Sequence, residues 1–268
     1  MPDWIAVIVL GVIEGITEFL PVSSTGHLQL AGGWLQPQSE LFDIVVQCGA
    51  VLAVLAVFKN RIATLLQTAA QPATRSYLGK LCLAFALTIV GVLAAEKLNV
   101  KVEKDSVAAA AWTARVAWAT LIGGVFFLAV EWWLRGKTGR DEITWAVAIA
   151  VGTAQIVAAT YSGTSRSGAT ILFALALGVS RPAATEFSFL LGAPTLLAAG
   201  AYKILKAWKH DQLGAEPWGL TLLGTAVAVV MAFIAVKWLL RYVQTHTFVA
   251  FGWYRIALAL AVFAVLWK

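Results

Sequence analysis

Residues 143–179 read ITWAVAIAVGTAQIVAATYSGTSRSGATILFALALGV. An apolar run, 143–160, meets the polar stretch Ser162-Gly-Thr-Ser-Arg-Ser-Gly-Ala-Thr170 and then resumes as a short apolar segment, Ile171 to Val179. The first piece is long enough to cross a bilayer, which takes about 20 residues of helix. The second is too short. A helix, a polar break and a short return helix make a re-entrant hairpin, because non-helical backbone at membrane depth survives only inside protein or beside a wet cavity. The amino-terminal region repeats the pattern. There 4–20 runs into Pro21-Val-Ser-Ser-Thr-Gly-His27 and then Leu28 to Leu35.

The rest of the chain agrees with a membrane reading. Of 268 residues, 60% are hydrophobic and 13% charged, with a mean hydropathy of +0.81. Soluble domains run about 45–50% apolar and about 25% charged. Six further stretches read as full crossings: 41–58, 77–96, 112–134, 183–205, 218–240 and 247–267. The expected fold is therefore an all-α polytopic membrane protein, with about six transmembrane helices and two re-entrant helix pairs in one integral membrane domain, 1–268. Trp34, Trp112, Trp132, Trp133, Trp208, Trp218 and Trp267 fall near segment ends, as an interfacial belt requires. The net charge of +6 reads as basic loops beside anionic lipid rather than as nucleic-acid binding. Cys48 and Cys82 read as packing residues, with no disulfide framework or metal spacing. The first apolar run lacks a basic leader and carries Glu14 and Glu18, so no cleaved signal peptide is expected.

The two halves resemble each other. Ser23-Ser24-Thr25-Gly26 matches Ser165-Arg166-Ser167-Gly168, 142 residues on. Phe42-Asp43 through Gly49-Ala50 matches Thr185-Glu186 through Gly192-Ala193, 143 residues on. Three spans between copies would invert the second, giving repeats of about 1–134 and 143–268 with a site near the midplane. If 21–40 lies outside, the inside loops hold nine Lys and Arg (Lys59, Arg61, Arg75, Arg135, Lys137, Arg140, Arg181, Lys237, Arg241) against six outside (Lys97, Lys101, Lys104, Lys206, Lys209, Lys268). That bias favours both termini outside.

Chemistry concentrates in the two breaks. Glu14 and Glu18, spaced i, i+4, share a helix face. Carboxylates there need a partner, a proton or a metal. No base lies nearby in sequence, so a shared cation or a bound water is expected over a structural ion pair or two protonated glutamates, and two hard carboxylate ligands suit Mg²⁺ or Ca²⁺. Ser23, Ser24, Thr25 and His27 follow Pro21. Hydroxyls before a short helix are natural caps, but His27 is a proton-transfer residue. Gly163, Ser165, Arg166, Ser167, Gly168 and Thr170 form an anion cradle: glycines free the amides to turn, the helix start adds partial positive charge, and the Arg166 fork matches phosphate oxygens. Arg115, Glu131, Glu186 and Arg255 are expected to pair among themselves, and Gln47 and Gln155 to bond between helices.

These residues carry a resemblance. Glu14-Gly-Ile-Thr-Glu18-Phe-Leu-Pro-Val-Ser-Ser-Thr-Gly-His27 is similar to the first signature of the bacterial undecaprenyl-diphosphate phosphatases, also called bacitracin-resistance proteins. Ser165-Arg166-Ser167-Gly168-Ala169-Thr170 resembles the second. The likeness runs on through Phe42-Asp43 to Gln47, Ser180-Arg181, Glu186-Phe-Ser-Phe-Leu-Leu191 and Tyr254-Arg255, nearly the whole chain. The family usually has proline where this chain has Ser162, which loosens φ in the second turn.

The resemblance implies a divalent-cation-dependent enzyme (Mg²⁺ or Ca²⁺) of the bacterial inner membrane, its site toward the periplasm. It would remove the terminal phosphate of undecaprenyl diphosphate and so recycle the carrier for peptidoglycan and envelope glycans. Glu14, Glu18, Ser24, His27 and Arg166 would be catalytic, with Ser24 as nucleophile and His27 its acid–base partner; phospho-His27 or water activated by Glu18 are the alternatives. Ser23, Thr25, Gly163, Ser165, Ser167, Gly168 and Thr170 would bind phosphate, and Glu14 and Glu18 the metal. The implied partners are a polyprenyl diphosphate and membrane lipid, with a homodimer among the options. The membrane acid-phosphatase superfamily is excluded, because no histidine follows Arg166 until His210. A polyprenyl-phosphate transporter is the rival, since broken helices and a midplane anion site are transporter features.

Overall fold

The computed structural model describes residues 2–31, 35, 38–98, 109–211 and 213–266. Trp34, Trp267, Lys101, Lys104 and Lys268 lie outside them. Among the described residues the chain is built of helices: α1 Asp3–Thr17, α2 Ser24–Ala31, α3 Glu40–Val57, α4 Lys59–Gln67, α5 Pro72–Lys97, α6 Ala109–Trp133, α7 Trp145–Thr160, α8 Arg166–Ala176, α9 Arg181–Lys209, α10 Trp218–Tyr242 and α11 Val249–Leu266. Six of them (α3, α5, α6, α9, α10 and α11) are long and apolar enough to cross a membrane. They coincide with the six stretches read from hydropathy. The protein is an all-α polytopic membrane protein.

The remaining apolar helices stop short. With 15 and 16 residues, α1 and α7 reach about 22–24 Å at 1.5 Å per residue, against a core of about 30 Å. Each is followed by a break and a return helix, 8 residues in α2 and 11 in α8. One helix departs from the hydropathy reading. The basic stretch 59–76 reads as a loop, yet Lys59–Gln67 forms α4, burying Leu65 and exposing its polar residues. Pro72 then opens α5, where a missing N–H costs nothing.

Small residues bring the short helices close to the long ones. A Cβ on Gly11 or Gly15 of α1 would stand 2.5 Å from a backbone carbonyl of α10, at Gly224 and Ala228 respectively. On Gly152 of α7 it would stand 2.9 Å from the Ala84 carbonyl of α5. Where lipid is as apolar as leucine, such close backbone approach is what holds helices together. The packing is reciprocal between halves: α1 lies on α10 as α7 lies on α5, α2 touches α11 as α8 touches α6, and α6 with α11 and α3 with α9 form the central pairs.

Ion pairs fall differently from expectation. Glu131 takes a two-pronged bond from Arg181 (Nε at 2.9 Å) and the Phe248 amide, while Glu186 pairs with Arg61 at 2.9 Å. Arg115 is exposed, and Arg255 bonds to carbonyls instead. Gln155 does bridge helices, donating to Thr88 and Thr195.

Candidate active site

The two breaks meet inside the bundle. In each, a serine adopts the left-handed backbone region just before the return helix: Ser23 with φ 71° and Ser165 with φ 68°. Non-glycine residues rarely do this, at a cost of about 1–3 kcal/mol, and such strain gathers at functional sites. Each serine hydroxyl then caps its helix, accepting the Gly26 amide at 3.3 Å and the Gly168 amide at 3.2 Å. Two helix N-termini, with their partial positive charge, therefore enter the same region.

Across the junction, Glu18 joins the loops. Its Oε1 faces Nη2 of Arg166 at 3.4 Å, and its Oε2 accepts the Ser24 hydroxyl at 3.2 Å. Arg166 lies over the Phe19 ring, 5.4 Å from its centroid, in space that only a glycine leaves: a Cβ on Gly192 would fall 1.7 Å from Nη1. The Nε and Nη1 atoms of Arg166 are buried without a protein partner, so two donors of the fork stay available for an anion.

One turn before Glu18, Glu14 is 4% exposed. It sits beside Glu18 and Gln47 with Asp43 near, yet neither of its oxygens makes a hydrogen bond of normal geometry. Two orphaned carboxylate oxygens beside a second carboxylate fit a hard divalent cation, which takes one or two protein carboxylates and completes its shell with phosphate oxygens and water. Among the described residues no three His, Cys, Asp or Glu side chains gather as a closed metal cage. An open two-carboxylate site is the kind that fits.

Ser24 and His27 are not hydrogen-bonded to each other. Its Nδ1 donates to the Ser23 carbonyl at 2.8 Å, so Nε2 faces the Tyr254 hydroxyl, 2.7 Å away, as the acceptor. The ring thus pins the carbonyl of the strained serine. Of the other expected phosphate ligands, Thr25 and Ser165 are half-buried at the junction. Ser23, Ser167 and Thr170 are buried and spend their hydroxyls on the scaffold: Ser23 on the Gly26 amide, Ser167 on the Leu20 carbonyl at 3.0 Å, Thr170 on Arg166, Ser167 and Ser188. Gly163, with φ 95°, turns its carbonyl to Thr120 and Arg255.

Arg255 is the residue that sequence reasoning undervalues. Fully buried on α11, it donates to five carbonyls: Pro21 of the first loop, Gly163 and Thr164 of the second, and Ala119 and Thr120 of α6. Gly123 clears its path, for a Cβ there would meet Nη2 at 2.3 Å. Thr120 adds bonds to the Ser23 hydroxyl and the Gly163 carbonyl. Nothing in the sequence of α11 marks Arg255 for these carbonyls, because ion-pair partners in this fold come from other helices.

A model of the family described as "Bacitracin resistance protein BacA" matches residues 7–261. The chain belongs to this family. Relatives named undecaprenyl-diphosphatase are similar over nearly the full length. That of Rhizobium etli is 45% identical over 257 residues, covering 96% of this chain and 94% of the relative. That of Xylella fastidiosa is 44% identical, covering 94% and 95%. That of Xanthomonas oryzae is 42% identical, covering 100% and 98%. The family match contains both strained serines, both loops and Arg255.

Proposed function

We propose that this chain hydrolyses undecaprenyl diphosphate to undecaprenyl phosphate and inorganic phosphate, returning the lipid carrier to envelope synthesis and conferring bacitracin resistance. The family and its undecaprenyl-diphosphatase relatives support the substrate. The observation that carries the chemistry is Glu18, which holds the Ser24 hydroxyl with one oxygen and faces Arg166 with the other.

Arg166 binds the terminal phosphate through its free donors, with the α2 and α8 N-termini adding positive potential where charge grows. Glu18 takes the Ser24 proton as Oγ attacks phosphorus, and returns it to the departing undecaprenyl phosphate oxygen as the bridging P–O bond breaks, which leaves the carboxylate ionised. Water then cleaves the Ser24 phosphoester, Glu18 again receiving the proton. His27 serves by fixing the Ser23 carbonyl, and Tyr254 holds the ring in that tautomer. Direct phosphorylation of His27 fits less well, since both its nitrogens are engaged. A bound Mg²⁺ or Ca²⁺ at Glu14 and Glu18 would neutralise phosphate oxygens.

The reciprocal packing of the halves supports two inverted repeats, about 1–134 and 143–268, within one domain. The loop charge bias and the family resemblance together support a bacterial inner-membrane protein with its site opening to the periplasm. Every residue named comes from one chain, so a homodimer would leave each site complete. A transporter has no use for the serine–carboxylate contact, and the hydrolase reading is favoured over it. The test is phosphate release from undecaprenyl or farnesyl diphosphate by the purified protein, with Mg²⁺, with Ca²⁺ and with chelator. Metal-dependent release is expected; lipid-phosphate binding with no release would promote the transporter.

A further inference from the structure

A polar cavity lies at the other end of α7 from the loops, a helix of 16 residues and so about 24 Å long. It has a volume of about 360 Å³ and opens between α4, the start of α5, residues 141–143 and the first turns of α9. Arg61, Tyr77, Lys80, Asp141, Glu142 and Glu186 line it. None of them serves the hydrolytic site.

Charges in this wall do not all cancel. Arg61 and Glu186 pair at 2.9 Å, and Asp141 accepts the Ser180 hydroxyl. Lys80 is 8% exposed and lines the cavity, where among the described residues it makes no hydrogen bond or ion pair; its Nζ lies 5.7 Å from the Trp145 ring centroid. Its stem is buried while its ammonium opens into the cavity, so an anion there would meet an unpaired cation. Glu142 is exposed at the rim and, among the described residues, makes no ion pair, which leaves it free to meet a cation. Exposed Trp132, Trp133 and Trp145, with the Lys137 ammonium 3.8 Å over Trp133, place this end at head-group depth.

We propose that the cavity binds the phosphate–ammonium head of a membrane phospholipid, its phosphate ester against Lys80 and its primary ammonium against Glu142 and Asp141. A plain phosphate monoester would meet one uncompensated cation and two carboxylates, so a zwitterion fits better. A primary ammonium brings three donors to those carboxylates, where a trimethylated one brings none.

The test uses full-length protein in detergent, exchanged against mixed micelles of phosphatidylethanolamine, phosphatidylcholine or phosphatidylglycerol, with retained lipid read by native mass spectrometry. At least fivefold more phosphatidylethanolamine than either other lipid is expected. Lys80→Met and Glu142→Gln should each lower that retention to the phosphatidylglycerol level while phosphate release stays unchanged. Glu142 is exposed, so its variant tests the idea even if Lys80→Met fails to fold. Displacement by soluble glycerophosphoethanolamine would assign the same chemistry to a free phospho-ammonium compound; resistance to it would assign the ligand to the membrane. Equal retention of all three lipids by wild type, or unchanged retention in both variants, overturns the proposal.

Discussion

Gly192 sits on α9, away from both signatures, yet the geometry makes it decisive for Arg166. An added Cβ would lie 1.7 Å from Nη1, whereas carbon and nitrogen settle at about 3.5 Å, so Gly192→Ala must push the guanidinium aside by roughly 2 Å. The guanidinium is the end of a flexible side chain, so the fold can yield there. Alanine also favours helix over glycine by about 1 kcal/mol, which offsets the cost. Catalysis has no such slack. The Glu18 contact is already 3.4 Å, and a misplacement of about 1 Å can cost about 100-fold, or about 2.7 kcal/mol of barrier. The expected result is a fall in kcat/KM for phosphate release of about 100-fold, with a melting midpoint near that of wild type. Activity within about threefold of wild type would show that the position of Arg166 does not govern turnover. A variant that no longer folds would show that the side chain does not yield.

Arg255→Lys keeps the charge but loses the fork that reaches five carbonyls; activity and melting midpoint should fall together, since buried unsatisfied groups cost about 1–3 kcal/mol each. Tyr254→Phe removes the hydroxyl that donates to His27 and should reduce kcat about fivefold, the worth of one net hydrogen bond, with folding unchanged in a thermal melt. Glu14→Gln should raise the Mg²⁺ concentration needed for half-maximal phosphate release at least tenfold, while phosphate-analogue binding at Arg166 persists. An unchanged metal titration would remove Glu14 from the cation site.

Much of the architecture is legible because membrane burial writes itself as composition. The six spans and both interrupted runs follow from where polar residues halt an apolar stretch. So do the two loops, since an arginine set among hydroxyls and glycines inside such a run is too costly in lipid unless it lines a polar site. Partners are less legible, because they depend on where side chains point. Chain proximity puts Ser24 with His27, three residues on, but the left-handed Ser23 turns the Ser24 hydroxyl to Glu18 and leaves His27 facing the Ser23 carbonyl. Charge alone pairs Arg255 with a carboxylate, whereas it meets five carbonyls, three of them in the loops that the broken helices leave spare. Gly192 and Gly123 matter through neighbours more than twenty residues away in sequence, which periodicity does not reveal. The helix α4 is hidden by its charge, since an interfacial helix needs only a narrow apolar stripe.

Phosphate release from undecaprenyl diphosphate by purified wild type, beside Ser24→Ala, Glu18→Gln and Arg166→Ala, bears on the chemistry without intermediary, provided each variant is verified as folded by its thermal melt. Metal-dependent release by wild type is expected, with a loss of at least about 1,000-fold in every variant, because nucleophile, base and anion fork act as one unit. Full activity in Ser24→Ala with loss in the other two would contradict a serine nucleophile and give the attack to water.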